Sequence, residues 1–204
     1  MSTHIYNYLA LGDSYTIGES VPLFESFPYQ LVQMLRKNKC SFHAPEIIAK
    51  TGFTTFELAE QILQTKLETH YDFATLLIGV NNQYRNLPLE AYEKDFSFLL
   101  QKAIHYCNGQ NQHVFVLSIP DWGLTPFAKD RDIKKISEEI NLFNQIAQLI
   151  CTKNNVCFLD ITTQMRTTSN DPGYLANDGL HYSAKMYAEW ALLISEKILK
   201  IIPH

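Results

Sequence analysis

Short apolar runs alternate with helix-period segments along the whole chain, and this alternation limits the fold more than any single residue does. The runs are 6–11 (YNYLAL), 46–49 (EIIA), 73–79 (FATLLIG), 113–118 (HVFVLS) and 156–159 (VCFL). None alternates apolar with polar residues. That suits strands covered on both faces of a parallel sheet. Between the runs, apolar residues recur at helical spacing. The stripes are Phe27, Leu31, Met34 and Leu35; Phe56, Ala59, Leu63 and Leu67; Tyr92, Phe96, Leu99 and Ala103; Ile133, Ile136, Ile140, Phe143, Ala147 and Ile150; and Tyr187, Trp190, Ile194, Ile198 and Ile201. Thr54 and Glu57 form a capping box ahead of the second stripe, and Ser183 is the candidate N-cap of the last. Five strands and five helices in alternation predict an α/β fold with helices on both faces of a parallel sheet.

With 204 residues and no repeat, low-complexity tract or linker, the chain reads as one domain, 1–204. The irregular stretches are 12–25, 80–88, 119–131 and 160–182. Most follow a strand directly and so lie at the carboxyl ends of the strands, where open α/β sheets bind ligands.

Composition removes several partner classes. Net charge is −4 and no Lys/Arg run exceeds two residues, which argues against nucleic acid. The apolar runs are far too short to span a membrane. Cys40, Cys107, Cys151 and Cys157 show no CxxC spacing, and the histidines show no ligand pattern, so no metal site is expected. The segment MSTHIYNYLAL lacks the basic region of a signal peptide and starts at Met1. The expectation is a cytoplasmic protein with reduced thiols in or near the core.

Four segments carry chemistry. Ser14, in Leu-Gly-Asp-Ser-Tyr at 11–15, sits just past the first strand. There a hydroxyl is exposed at the sheet edge beside backbone amides that can serve an oxyanion. It is not a G-x-S-x-G elbow, because Tyr15 and Thr16 follow. Asp178-Gly-Leu-His181 offers a base with an orienting carboxylate. Seven histidines among this many aspartates give about 0.3 such pairs by chance, so alone it is weak. Asn81, in Gly79-Val80-Asn81-Asn82, places a neutral amide at a strand end. Gly52, in Thr51-Gly52-Phe53, presents a bare backbone N–H. Each is also an ordinary turn. Together they make a nucleophile, a base, its orienter and three donors (the N–H of Ser14, the N–H of Gly52 and the Asn81 amide), a full set for acyl transfer.

In this order (GDS at 12–14, the isolated Gly52, G-x-N at 79–81, D-x-x-H at 178–181) the segments resemble the SGNH, or GDSL, hydrolases over residues 8 to about 190. The resemblance implies a three-layer, flavodoxin-like sheet of order 2-1-3-4-5. It implies a serine esterase working through an acyl-enzyme without metal or organic cofactor. Ser14 would be the nucleophile, His181 the base and Asp178 the third triad member. Ser14, Gly52 and Asn81 would form the oxyanion hole. One position departs: Asn82 stands where the family usually has Asp.

Substrate contacts are sought in the loops. Asn82, Tyr84, Trp122 and Phe127 are the candidates. Trp122, Leu124 and Phe127, framed by Pro120, Gly123 and Pro126, line an acyl pocket, form a lid or pack under their own loop. Arg85, Glu19 and Asp121 read as solvated, and His4, His43, His70, His105, His113 and His204 as surface or edge residues. Phe42, Tyr71 and Tyr174 fall outside the stripes and are candidates for exposure. The expected partner is a small ester; lysophospholipids, thioesters and O-acetylated sugars are alternatives on the same site. From other classes, a flavin or nucleotide binder would want a Gly-rich phosphate cradle after the first strand, which is missing, and Asp13 would repel phosphate. A catalytically dead, partner-binding scaffold fits poorly with a complete set of reactive side chains.

Overall fold

The computed structural model describes residues 4–168 and 171–202. His204 and Met1 lie outside them. Five strands form one all-parallel sheet: β1 (Tyr8–Gly12), β2 (Glu46–Ala49), β3 (Phe73–Leu77), β4 (Val114–Leu117) and β5 (Cys157–Leu159). Their order is β2-β1-β3-β4-β5. The register pairs Leu9 with Glu46 and Ala74 across β1. Every residue of β1, β3 and β4 is buried, whereas the edge strands β2 and β5 are half covered. Lack of alternation therefore marks the central strands, as expected of layers covered on both sides.

Among the described residues, eight α-helices connect and cover the sheet: α1 (Ser14–Ile17), α2 (Phe27–Lys37), α3 (Thr55–Gln64), α4 (Val80–Tyr84), α5 (Leu89–Tyr106), α6 (Ile133–Lys153), α7 (Thr162–Thr168) and α8 (Ala184–Ile198). The three short ones, α1, α4 and α7, fall inside stretches read from sequence as irregular. Right-handed crossovers decide the layers. The chain steps from β1 outward to β2, then back past β1 to β3 and on to β5. The reversal puts α2 on one face, where it packs against α8, and α3, α5 and α6 on the other. Phe27 and Trp190 meet across the first layer with ring centroids 6.1 Å apart.

The stripes of α2, α5, α6 and α8 face the core, with Ile133 exposed at the start of α6 and Met34 and Ile201 half-buried. The stripe of α3 is displaced by one residue. Thr55, Leu58 and Ile62 are buried, Ala59 and Leu67 half-buried, and Phe56 and Leu63 are 56% and 64% exposed. The cause lies at the helix start. The Thr54–Glu57 capping box forms as read. The next residue, Thr55, is tied to Asn82 through its N–H (3.0 Å) and its hydroxyl (2.8 Å). Those bonds turn residue 55 toward the sheet, and positions three and seven further on follow it. Ser183 occupies the N-cap position of α8, but its hydroxyl donates to Gly173 C=O instead of capping.

Phe42, Tyr71 and Tyr174 are not exposed. Phe42 stacks on Tyr6 and Phe73, Tyr71 donates to Glu46 and Tyr174 is half-buried. His113 stacks on Phe73 at the amino edge of the sheet. Cys107 and Cys151 are buried and Cys40 and Cys157 half-buried, all as free thiols. No helix among the described residues is long and apolar enough to cross a membrane.

The displaced face of α3 has a direct test. Ile62→Ala should lower unfolding free energy by about 2–5 kcal/mol through lost burial and a cavity. Leu63→Ala should stay within about 0.5 kcal/mol. Urea denaturation of the two variants reads the difference.

Candidate active site

The strand order brings the carboxyl ends of β2, β1 and β3 side by side, and β1/β3 is the point where the winding reverses. Loops at such a point splay apart and leave a crevice. Ser14 follows β1, Gly52 follows β2 and Asn81 follows β3. All three line one cleft of about 180 Å³, together with Tyr15, Thr51, Val80, Tyr84, Trp122, Phe127, Leu180 and His181.

Ser14 opens α1. Asp13 caps that helix by accepting the Tyr15 N–H at 3.0 Å. The residue is only 5% exposed, so its hydroxyl lies at the cleft floor rather than out at the sheet edge. Its Oγ is 2.9 Å from His181 Nε2. His181 Nδ1 is 2.6 Å from Asp178 Oδ2. The second carboxylate oxygen, Oδ1, accepts the N–H groups of Leu180 and His181, both at 2.9 Å. Side chain and backbone thus share one folded turn, which explains the three-residue spacing. Burial pushes the Asp178 carboxyl up. The Ser20 hydroxyl, the His181 ring and the two N–H groups outweigh it and hold the group well below the usual carboxylate range. An ionised carboxylate only accepts, so the neutral imidazole donates from Nδ1 and turns the Nε2 lone pair to Ser14. The Tyr15 ring leans on the imidazole, centroids 5.2 Å apart.

Ser20 is a contributor that sequence reading missed. Its Oγ donates to Asp178 Oδ2 at 2.6 Å from a left-handed backbone, φ +67°. No local pattern signals a partner so far along the chain.

Gly52 also lies in the left-handed region, φ +83°. It is the third residue of a turn closed by Phe53 N–H on Lys50 C=O at 3.1 Å, which suits glycine. Asn81 Nδ2 donates to Phe53 C=O at 3.0 Å. An amide NH₂ carries two donors, so one remains for the cleft.

Asn82 is not a substrate contact. It is 1% exposed and absent from the cleft lining. Its amide accepts the Thr55 N–H and donates to the Thr55 hydroxyl, whose oxygen is 3.4 Å from Asp95 Oδ2. An Asp there would compete with Asp95 for that hydroxyl proton. The Asn supplies the proton's counterpart and leaves the hydroxyl free to donate onward.

Asp121 is not a solvated loop carboxylate either. Asp121 is 2% exposed and pairs with Arg166 at 2.8 Å while accepting from Ser137 at 2.7 Å. Glu19 accepts from the Thr51 hydroxyl. Arg85 pairs with Glu57 and donates to Gly52 C=O.

Tyr84, Trp122 and Phe127 form an aromatic wall, with centroids 5.2 Å (Tyr84–Trp122) and 6.0 Å (Trp122–Phe127) apart. Trp122 Nε1 donates to Gln83 Oε1 at 2.7 Å, and Gln83 in turn donates to Glu139 at 2.8 Å. With Asp121 also anchored, the 119–127 segment is held by side-chain bonds where it lines the cleft. Leu124 faces a separate small cavity beside Met165 and Tyr182. The wall is joined to the turn that carries His181: Phe127 N–H donates to Gly179 C=O at 3.0 Å.

A parallel sheet of this order, with a serine after β1 and Asp-x-x-His before the last helix, defines the SGNH class of hydrolases. The chain belongs to the GDSL-like lipase/acylhydrolase family, whose model matches residues 10–189, and it is an ester-hydrolysing enzyme. Similar folds include the lipase/acylhydrolase from Enterococcus faecalis, with 18% identity, 98% of each chain covered and a TM-score of 0.76. The acetylxylan esterase Axe2 from Geobacillus stearothermophilus has 16% identity, covering 96% of this chain and 93% of its own, with a TM-score of 0.70. AlinE4, an SGNH-hydrolase family esterase, has 16% identity over 100% of both chains and a TM-score of 0.66. No curated protein sequence matches the chain.

Asp13 carries a separate expectation. It is fully buried, and its Oδ2 has no partner among the described residues. Burial pushes its carboxyl up to about 7, against the pull of the Tyr15 N–H and its own N–H. The folded state therefore holds a proton that the unfolded chain releases near pH 4. Stability should fall as pH rises from about 4 to about 7 and level off above. Asp13→Asn should flatten that slope, read as melting temperature at pH 5 and pH 8.

Proposed function

We propose that the protein hydrolyses small carboxylic esters through an acyl-enzyme, with Ser14 as nucleophile, His181 as base and Asp178 as orienter. The observation that carries the reading is the unbroken relay Ser14 Oγ to His181 Nε2 (2.9 Å) and His181 Nδ1 to Asp178 Oδ2 (2.6 Å) at the floor of a cleft. His181 takes the Ser14 proton as the hydroxyl attacks the ester carbonyl. The tetrahedral oxyanion is met by the Ser14 and Gly52 N–H groups and the free Asn81 N–H. His181 then gives its proton to the leaving alcohol. Water attacks the acyl-enzyme by the same path and releases the acid. The steps call on no metal or organic cofactor. The apolar wall of Tyr84, Trp122 and Phe127 favours the acyl side of the substrate, and a small-molecule ester is the expected partner.

A fluorophosphonate should add one adduct to the wild type, read by intact mass, and none to Ser14→Ala. An adduct on both, or equal ester turnover by both, would remove Ser14 from the mechanism. Asn81→Ala should lower kcat by roughly a hundredfold, about 3 kcal/mol of barrier, while the adduct still forms slowly. A p-nitrophenyl ester series should rise in kcat/KM from acetate toward longer chains. A maximum at acetate would favour the O-deacetylase reading, for which the likeness to an acetylxylan esterase fold is the specific support.

A further inference from the structure

We propose that Ser20 is a positioning residue: its hydroxyl keeps the turn that carries His181 in register with the segment that carries Ser14, above all while Ser14 is acylated. The proposal rests on the reading of Ser14, His181 and Asp178 as nucleophile, base and orienter.

The backbone marks Ser20 first. It stands third in the turn 18–21, which Val21 N–H closes on Gly18 C=O at 3.2 Å, and its φ is +67°. A left-handed third position suits glycine or asparagine, and a serine there is strained. What the serine adds over a glycine is a hydroxyl, and that hydroxyl donates to Asp178 Oδ2 at 2.6 Å. The turn is tied to the nucleophile as well. Ser14 C=O accepts the N–H groups of Gly18 and Glu19, the second at 2.9 Å.

The other bonds to the Asp178 carboxylate come from within its own turn. Leu180 N–H and His181 N–H reach Oδ1, and His181 Nδ1 reaches Oδ2. They fix the carboxylate against the imidazole, but they do not set the place of the 178–181 turn relative to Ser14. Phe127 N–H holds Gly179 from the side of the aromatic wall, not from that of the nucleophile. Among the described residues, two hydrogen bonds join segment 14–20 to the turn: Ser14 with His181, and Ser20 with Asp178. The first is lost in each cycle. An acylated Ser14 Oγ has no proton to donate, and His181 has none at Nε2 once the leaving alcohol has taken it. The Ser20 bond is untouched by the chemistry, so it holds the turn while His181 aims a water at the acyl carbonyl. Ser20 is exposed, and loss of its hydroxyl should leave the fold intact.

The test compares Ser20→Gly, Ser20→Asn and Ser20→Asp with wild type and Ser14→Ala on one p-nitrophenyl ester at pH 8. Each replacement suits a left-handed backbone, so melting temperatures should stay within about 2 °C of wild type. Ser20→Gly should lose roughly tenfold in kcat, with KM within about twofold. p-Nitrophenolate leaves readily, so this kcat weights hydrolysis of the acyl-enzyme. Labelling by a fluorophosphonate reads attack by Ser14 alone and should slow by less than about threefold. Ser20→Asn keeps a donor and should recover part of the rate. Ser20→Asp has the same shape but sets a second carboxylate beside Asp178, and should fall below Ser20→Gly. A wild-type kcat in Ser20→Gly, equal rates in Ser20→Asn and Ser20→Asp, labelling slowed as much as kcat, or a loss confined to KM would overturn the proposal while an inactive Ser14→Ala left the acyl-enzyme reading standing. Activity in Ser14→Ala would instead remove the reading on which the proposal rests.

Discussion

Everything in this molecule follows from the handedness of its crossovers. A parallel step in a twisted sheet closes only to the right, so a chain that reverses direction must change faces. The reversal after β2 splits the helices into α2 with α8 on one side and α3, α5 and α6 on the other. It also leaves the ends of β1 and β3 with loops that diverge. The crevice is thus a by-product of winding, before any residue in it is chosen. Ser14, Gly52 and Asn81 come from three different strands, yet they meet because those strands are neighbours at the reversal.

The loops that line the crevice are held by side chains and not by regular structure. Gly52, Phe53, Thr54 and Thr55 are each gripped in turn by Arg85, Asn81, Glu57 and Asn82. On the far side, Asp121 and Trp122 are fixed by Arg166 and Gln83. A preformed site of this kind orders its polar groups during folding, so little reorganisation remains when charge develops on a substrate.

The layers and the reactive quartet could be read from the chain because both leave local marks. A central strand is apolar at every position, and a serine or amide just past it is placed by the strand itself. Asp178 and His181 share a turn, so three residues of spacing suffice. Side-chain partnerships over distance leave no such mark. Ser20 reaches Asp178 and Arg166 reaches Asp121 across long stretches of chain, and nothing local to Ser20, Arg166 or Asp121 points to these partners. The phase of α3 was missed for the same reason. Two apolar stripes ran along it one residue apart, and the bonds from Asn82 to Thr55 chose between them. Asn82 was sought in the cleft because its neighbours Asn81 and Tyr84 are there, but one residue further round a helix points elsewhere.

One bond described above, from the Phe127 N–H to the Gly179 carbonyl, links the aromatic wall directly to the turn that carries His181. A change that moves the Phe127 backbone therefore acts on the turn that carries the imidazole as well as on the wall. Tyr84, at the end of α4 after the neighbouring strand β3, completes the same aromatic wall from a segment that this bond does not tie to the imidazole.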